Sequence, residues 1–111
     1  MGAGTPFDLS VTEEPEAVVI TVSGELDLAT APALREACNL AVQGTAATVR
    51  IDLGGLTFLD SSGISVLVET HRELESRDAR LVLHQVGDRT QRVFDVAGLA
   101  EFFTRSDQST C

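Results

Sequence analysis

An acid, two hydroxyls and a glycine stand together at Asp60-Ser61-Ser62-Gly63, where an apolar, strand-like run stops and a helix-like apolar pattern starts. At such a junction a side-chain oxygen can cap the unpaired N–H groups of the first helical turn. A serine hydroxyl held at the same place is also accessible to an enzyme that modifies it. The residue types fit both interpretations, an ordinary helix cap and a modification site.

Catalysis by these residues is not expected. The glycines of a Gly-x-Ser-x-Gly nucleophile turn are missing, and a serine nucleophile needs a base within hydrogen-bond reach. His71 lies on the order of 15 Å from Ser61 by helix rise, and nothing ties His84 to Ser61. The carboxylates of Asp27 and Asp60 would suit acid–base chemistry or Mg²⁺, but turn or cap chemistry explains each of them more simply. We therefore predict a protein that is not an enzyme and has no catalytic residue, metal or cofactor.

A phosphate on Ser61 would affect binding more than folding. It would add about −1.5 to −2 charge, and a helix N-terminus would stabilise it by roughly 0.3–1 kcal/mol. Each nearby acid, Asp60 and Asp27, would repel it by about 1 kcal/mol in water and about 4 kcal/mol near a protein surface, at a separation of roughly 4 Å. A partner packed over this patch would bury the phosphate beside acids, which breaks a complex. The site is therefore suited to act as a binding switch.

The composition narrows the classes of partner. The 111 residues fit a single domain at 1–111 with a core at about 7–103 and loose tails at 1–6 and 104–111. Neither a spanning helix nor a secretory signal is evident, so a cytoplasmic location is expected. A net charge of −9, with arginine as the only basic residue besides histidine, argues against direct binding to nucleic acid or to an anionic membrane. The acidity serves either plain solubility or the steering of a basic partner.

The two cysteines have no metal-ligand spacing. Cys38 is expected to be a core residue, and Cys111 an exposed terminal thiol.

The hydrophobic periodicity predicts elements in the order β-β-α-β-α-β-α. The predicted segments are strands at 7–11, 17–22, 48–53 with 56–59, and 81–83, and helices from the N-cap Thr30 to Gly44, from Ile64 to Leu74, and from a capping box of Asp88 and Gln91 to Gly98. This alternation favours an α/β fold with a mixed, largely parallel sheet, an N-terminal antiparallel edge strand and flanking helices. Right-handed crossovers place the predicted loops Gly24–Asp27 and Asp60–Gly63 on one sheet edge, so we expect Asp27, Asp60 and Ser61 to lie close together.

Three segments carry a resemblance to a known family. They are Gly24-Glu25-Leu26-Asp27, Phe58-Leu59-Asp60-Ser61-Ser62-Gly63-Ile64 and Val93-Phe94-Asp95-Val96-Ala97-Gly98-Leu99. In order and spacing they closely resemble the anti-sigma factor antagonists of the STAS domain family, and the likeness runs from about Phe7 to Phe103. The family fold that this implies, a mixed sheet flanked by helices, agrees with the predicted elements.

The resemblance implies a bacterial partner-switching protein that regulates transcription. In that family the unphosphorylated antagonist binds an anti-sigma factor that is itself a serine kinase, and a sigma factor is released. The kinase inactivates the antagonist by phosphorylation and a PP2C-type phosphatase restores it. Carried onto this chain, the phospho-acceptor is Ser61, and the partner-binding residues are Asp27, Asp60, Ser61, Ser62 and Gly63. The alternative is a constitutive STAS binding module of a lipid-transport or stress-signalling complex, in which Ser61 is not phosphorylated.

Overall fold

The N-terminal hairpin and the helix-alternating strands after it build one mixed sheet. The computed structural model describes residues 6–99 and 102–105, and Cys111 lies outside them. Their elements are β1 (Asp8–Glu14), β2 (Ala17–Leu26), α1 (Ala31–Gln43), β3 (Thr48–Leu59), α2 (Ser61–Glu75), β4 (Arg80–His84), α3 (Asp88–Val96) and β5 (Thr104–Arg105). In the described part of the chain, no helix combines the length and the apolar character that crossing a membrane requires.

The five strands follow chain order across the sheet, β1-β2-β3-β4-β5. The β1–β2 pair is antiparallel and the other three pairs are parallel. This confirms the predicted mixed, largely parallel sheet with an antiparallel N-terminal edge strand. The predicted C-terminal tail starts at Thr104, but Thr104–Arg105 pair with β4 and form the opposite edge strand.

Two glycine-containing segments that look like loops in the sequence are strand. Residues Ser23–Leu26 continue β2, and β3 runs through Gly54-Gly55 without a break. The loop prediction for Gly24–Asp27 is therefore wrong except at Asp27. The two segments pair in parallel, with register shifts at Thr21/Ser23 and Gly24/Glu25. Their residues do not favour strand structure locally, so the hydrogen bonds between the two segments hold them extended.

The core lies between one sheet face and the apolar faces of the helices. The predicted α1 face is buried at Leu34, Cys38 and Ala41, and the α2 face at Leu67 and Leu74. The sheet contributes buried alternate residues, among them Ile20, Val22, Leu26, Val49, Ile51, Leu53, Leu81 and Leu83. Together these side chains form one continuous cluster. The 3.6-residue and two-residue periods of the sequence thus predict the interior correctly.

The C-terminal segment closes the core with aromatic rings. Phe94 of α3 and Phe103 are buried with ring centroids 5.5 Å apart, and Phe102 packs edge-on to Phe103 at 4.9 Å. Gly98, at φ +78°, ends α3 in a Schellman arrangement, in which the N–H of Leu99 donates to the carbonyl of Phe94 at 2.8 Å.

The start of α3 differs from its prediction. Gly87 occupies the N-cap position, and Asp88 is already the first helical residue. The side chain of Gln91 donates to Asp95 Oδ1 at 2.8 Å, one turn further along the helix. The predicted capping box of Asp88 and Gln91 is therefore wrong, because the helix begins one residue earlier than the box requires.

Candidate functional site

The carboxyl ends of β2 and β3 lie side by side and carry the two acids of the predicted site. Leu26 and Leu59 are register partners in the parallel pair. One residue later, the N–H of Asp60 donates to the carbonyl of Leu26 at 3.3 Å. Asp27 and Asp60 therefore leave the sheet at the same edge, as the crossover argument predicts.

Asp60, and not Ser61, caps α2. Asp60 has extended backbone angles, φ −122° and ψ −170°, and its Oδ1 accepts a hydrogen bond from the N–H of Ser62 at 2.9 Å. Its carbonyl accepts from the N–H of Ile64 at 3.1 Å, which begins the helical ladder. Ser61 is the first helical residue, and its side chain is exposed. The interpretation of Ser61 itself as the cap is wrong, because the capping side chain must precede the first helical residue. The hydroxyl of Ser61 is left accessible at the helix N-terminus.

Gly63 allows the start of α2 to sit directly on the ends of the two strands. It is buried, and a Cβ placed on it would lie 2.6 Å from Leu26 Cγ and Cδ2 and 2.7 Å from Leu59 Cδ1. Carbon atoms at such distances overlap strongly, so only glycine fits without displacement of the helix. The position of Ser61 is thereby fixed by the packing of Gly63 against the core.

Asp27 organises the loop between β2 and α1. Its Oδ1 accepts from the N–H of Ala29 at 3.0 Å and of Thr30 at 3.2 Å, an Asx-type turn. Thr30 occupies the predicted N-cap position of α1, but its side chain makes no cap hydrogen bond. Its hydroxyl donates instead to the carbonyl of Glu25 at 2.7 Å. Asp27 therefore has a structural role in addition to contributing negative charge at this edge.

Leu28 and Arg35 extend the surface beyond the residues singled out in the sequence. Leu28 is 79% exposed at the tip of the loop. A shallow cleft of about 270 Å³ between the N-terminal parts of α1 and α2 is lined by Leu28, Arg35, Ser62 and Ser65, among others. Arg35 also pairs with Glu69 across the two helices. The exposure of Leu28 could have been predicted from the sequence. This leucine follows Asp27 in a turn and belongs to no apolar pattern of helical or strand spacing, so no element would bury it.

The histidines do not join this site. His71 lies further along α2 and packs against Phe102, with ring centroids 4.6 Å apart, while its Nε2 lies 3.4 Å from Glu75. His84 ends β4 at a half-buried position. Across residues 6–99 and 102–105 there is no cluster of three or more His, Cys, Asp or Glu side chains that could hold a metal ion.

Comparison with known proteins agrees with this arrangement. The family model described as "Mlab, STAS domain" matches residues 9–104. An anti-sigma-B factor antagonist of Bacillus subtilis is 32% identical over 104 residues, covering 93% of this chain and 94% of that protein. One from Listeria monocytogenes is 37% identical over 82 residues, covering 74% and 72%.

Solved structures show the same similarity. The crystal structure of an anti-sigma factor antagonist from Mycobacterium paratuberculosis superposes with a TM-score of 0.82 at 29% identity, covering 94% of this chain and 91% of that one. The anti-sigma factor antagonist SpoIIAA in its unphosphorylated form gives a TM-score of 0.76 at 29% identity, covering 94% and 92%. The structure of SpoIIAA in its phosphorylated form gives 0.70 at 29% identity, covering 94% and 96%.

Two findings together define the class of protein. The chain has a mixed five-stranded sheet with a capped helix at its carboxyl edge, and the family model matches most of its length. The chain belongs to the STAS domain family. The relatives named above are regulators, and the similarity to anti-sigma factor antagonists covers nearly the whole of the chain.

Proposed function

We propose that this chain is an anti-sigma factor antagonist that binds an anti-sigma factor serine kinase and so releases a sigma factor in the cytoplasm. Phosphorylation of Ser61 ends that binding, and a PP2C-type phosphatase restores it. The observation that carries the proposal is the placement of Ser61, which is exposed at the first position of α2 beside the capping carboxylate of Asp60. The related SpoIIAA, whose structure has been solved in both an unphosphorylated and a phosphorylated form, supports it.

The covalent step is a phosphoryl transfer. The Ser61 hydroxyl oxygen attacks the γ-phosphorus of ATP, the bond to the β-phosphate oxygen breaks, ADP leaves, and the hydroxyl proton passes to a base on the kinase. The phosphatase step is a hydrolysis: water attacks the phosphorus of phosphoserine, the bond from phosphorus to the Ser61 oxygen breaks, that oxygen takes up a proton, and inorganic phosphate leaves. This chain provides the acceptor and the docking surface, while the kinase and phosphatase provide the catalytic groups.

The electrostatics of the edge give the switch its direction. In the free protein the phosphate is solvated and faces the N-terminus of α2, which favours it by roughly 0.3–1 kcal/mol. In the complex it is buried near Asp60 and Asp27, and each repulsion rises towards about 4 kcal/mol. The fold therefore tolerates the phosphate, whereas the interface built from Asp27, Asp60, Ser61, Ser62 and Gly63 does not.

The test uses the full chain, a cognate anti-sigma factor kinase and ATP. We expect a mass increase of one phosphoryl group on the unaltered chain and on Ser62→Ala, and none on Ser61→Ala. A mass increase that persists in Ser61→Ala would place the acceptor elsewhere and overturn the assignment.

Binding separates the switch from a constitutive module. Ser61→Asp should weaken kinase binding by roughly fivefold or more, since one close repulsion of about 1–4 kcal/mol corresponds to that range. Ser10→Asp, which adds the same charge at an exposed position of β1, is the matched control and should bind as the unaltered chain does. Equal binding by Ser61→Asp would favour the constitutive module of a transport or stress-signalling complex.

A further inference from the structure

A groove lies open between the β1–β2 hairpin and α1, and its lining does not include Ser61. Its volume is about 710 Å³, and its apolar walls include Leu9, Val11 and Val18 of the hairpin and Ala37 and Leu40 of α1. We call it the hairpin groove. Leu40 is 66% exposed and Val11 49% exposed, so two large apolar side chains face solvent where the α1 and sheet surfaces diverge. Exposed apolar surface arranged in a concave shape, with a polar rim, is typical of an interaction site.

The rim of the hairpin groove is acidic. Glu13 and Glu14 at the end of β1 and Glu36 on α1 line it, and among the described lining residues no side chain is basic. Glu14 has a cationic neighbour, Arg50, with Nη2 at 3.7 Å from its Oε2. The acids of the rim that lie outside this pair are Glu13 and Glu36, on opposite walls of the groove. This charge repels nucleic acid and anionic membranes and attracts a cationic peptide.

The residues that line the groove are distinct from those around Ser61. β2 starts at Ala17, beside the groove, and ends at Leu26, beside Asp60. α1 starts after the Asp27 loop and ends at Gln43, with Gly44 in the groove lining. The lining extends along α1 to Ala33 and along β1 to Leu9, and it includes none of Asp27, Asp60 and Ser61.

We propose that the hairpin groove binds a short basic amphipathic segment of a partner protein. Its apolar side chains pack against Val11 and Leu40, and its Lys or Arg side chains lie beside Glu13 and Glu36. This surface is separate from the proposed kinase site, so it holds its partner whether Ser61 is phosphorylated or free.

The test titrates the isotope-labelled full chain with a synthetic amphipathic peptide of about twelve residues, with leucines at helical spacing and lysines on the flanks. A twin peptide carries glutamate in place of lysine. The lysine peptide should shift the amide signals of the groove residues, and its affinity should fall when NaCl is raised from about 50 mM to about 500 mM. The glutamate peptide should not bind.

Variants locate the binding. Leu40→Gln and Glu36→Gln each alter an exposed side chain, so the fold is kept, and Leu40→Gln should weaken the lysine peptide by roughly tenfold, the equivalent of one leucine contact. Val96→Gln, at an 86% exposed valine on α3, and Glu73→Gln, at an exposed acid on α2, are matched controls without effect. Ser61→Asp should leave peptide affinity unchanged, which keeps this outcome distinct from the kinase experiment.

Three results would overturn the proposal. Signal shifts spread over the whole acidic surface and insensitive to Leu40→Gln would show unspecific charge attraction. Concentration-dependent association of the chain alone, abolished by Leu40→Gln, would mean that a second copy covers the groove. Failure of the lysine peptide to bind, with residues 1–5 or 106–111 shifted by Leu40→Gln, would mean that the chain's own terminus occupies it.

Discussion

The N–H of Asp60 donates a hydrogen bond to the carbonyl of Leu26 at 3.3 Å, so the last residues of β2 and β3 remain paired where the chain leaves the sheet. The loop that contains Asp27 and the N-terminus of α2 start from this common point. Strand pairing therefore places the backbone of Asp27 and that of Asp60 next to each other at this edge. Core and cap substitutions around this point test that dependence.

Gly63→Ala should destabilise the fold. Its added Cβ would meet Leu26 and Leu59 at 2.6–2.7 Å, and relief of such overlap in a packed core costs about 1–3 kcal/mol of unfolding free energy. Urea denaturation measures the loss. Gly44→Ala is the control, because its Cβ would meet its nearest atom, the Ala41 carbonyl oxygen, at 3.4 Å, and we expect a change within about 0.5 kcal/mol. Equal effects of the two substitutions would contradict the close packing at Gly63.

Asp60→Ala should cost about 1 kcal/mol of unfolding free energy, because the bond from the Ser62 N–H to the Asp60 carboxylate is lost. Asp60→Asn keeps an acceptor oxygen and should retain most of the stability. Ser61→Ala should change it by less than about 0.5 kcal/mol, since the Ser61 side chain is exposed. Thermal unfolding of the three variants distinguishes the roles. A loss at Ser61→Ala as large as at Asp60→Ala would return the capping role to the serine.

Arg77 stabilises the end of α1 from the turn that follows α2. Its Nε donates to the carbonyl of Val42 at 2.9 Å and its Nη2 to that of Ala41 at 3.3 Å. Arg77→Met keeps the apolar part of the side chain but removes the donor to these two carbonyls. We expect it to lower the unfolding free energy by about 1–3 kcal/mol. Arg35→Met removes an exposed ion pair with Glu69 and should cost less than about 1 kcal/mol. Urea denaturation measures both losses. A larger loss for Arg35→Met than for Arg77→Met would refute the proposed role of Arg77 at the end of α1.

Cys38 should make stability depend on alkaline pH. Burial raises the pKa of its thiol to about 11, and the hydrogen bond with Thr70 only partly offsets this. The unfolded chain loses this proton near the ordinary thiol pKa of 9.0, so between the two values the unfolded state binds fewer protons and stability falls as pH rises. The contribution is complete below about pH 9 and is lost by about pH 11, with a total of roughly 2–3 kcal/mol.

This dependence is unusually easy to isolate, because the chain contains neither lysine nor tyrosine to titrate in the same range. Urea midpoints measured from about pH 8 to about pH 11 should fall for the unaltered chain and for Cys111→Ser, and should stay flatter for Cys38→Ala. A fall of the same size in Cys38→Ala would assign the effect to another group.

The helical faces and the sheet type could be predicted because they depend on periodicity over many residues. Leu34, Cys38 and Ala41 repeat at helical spacing, and one burial pattern satisfies all of them. The strand at Ser23–Leu26 could not be predicted, since its glycine and acids are poor strand formers and only the pairing with β3 makes it extended.

The crossover rule predicts that Asp27 and Asp60 leave the sheet at one edge, and the structure confirms this. The local roles of Asp60 and Ser61 could not be predicted. Asp60 and Ser61 are both good capping residues, and the choice between them depends on where the helix begins, which packing at Gly63 decides. Leu28 and Arg35 were missed, because surface residues around a site follow no period.

The contact of Gly63 with Leu26 and Leu59 also bears on how the proposed kinase would recognise this chain. Because α2 is seated by that contact, Ser61 is displayed on a folded helix terminus and not on an extended segment. A linear peptide with the sequence around Ser61 would lack the packing of Gly63, the folded helix cap and the Asp27 loop. Recognition by the proposed kinase would then depend on the folded structure around Ser61. A consensus sequence alone would not identify the other substrates of that kinase.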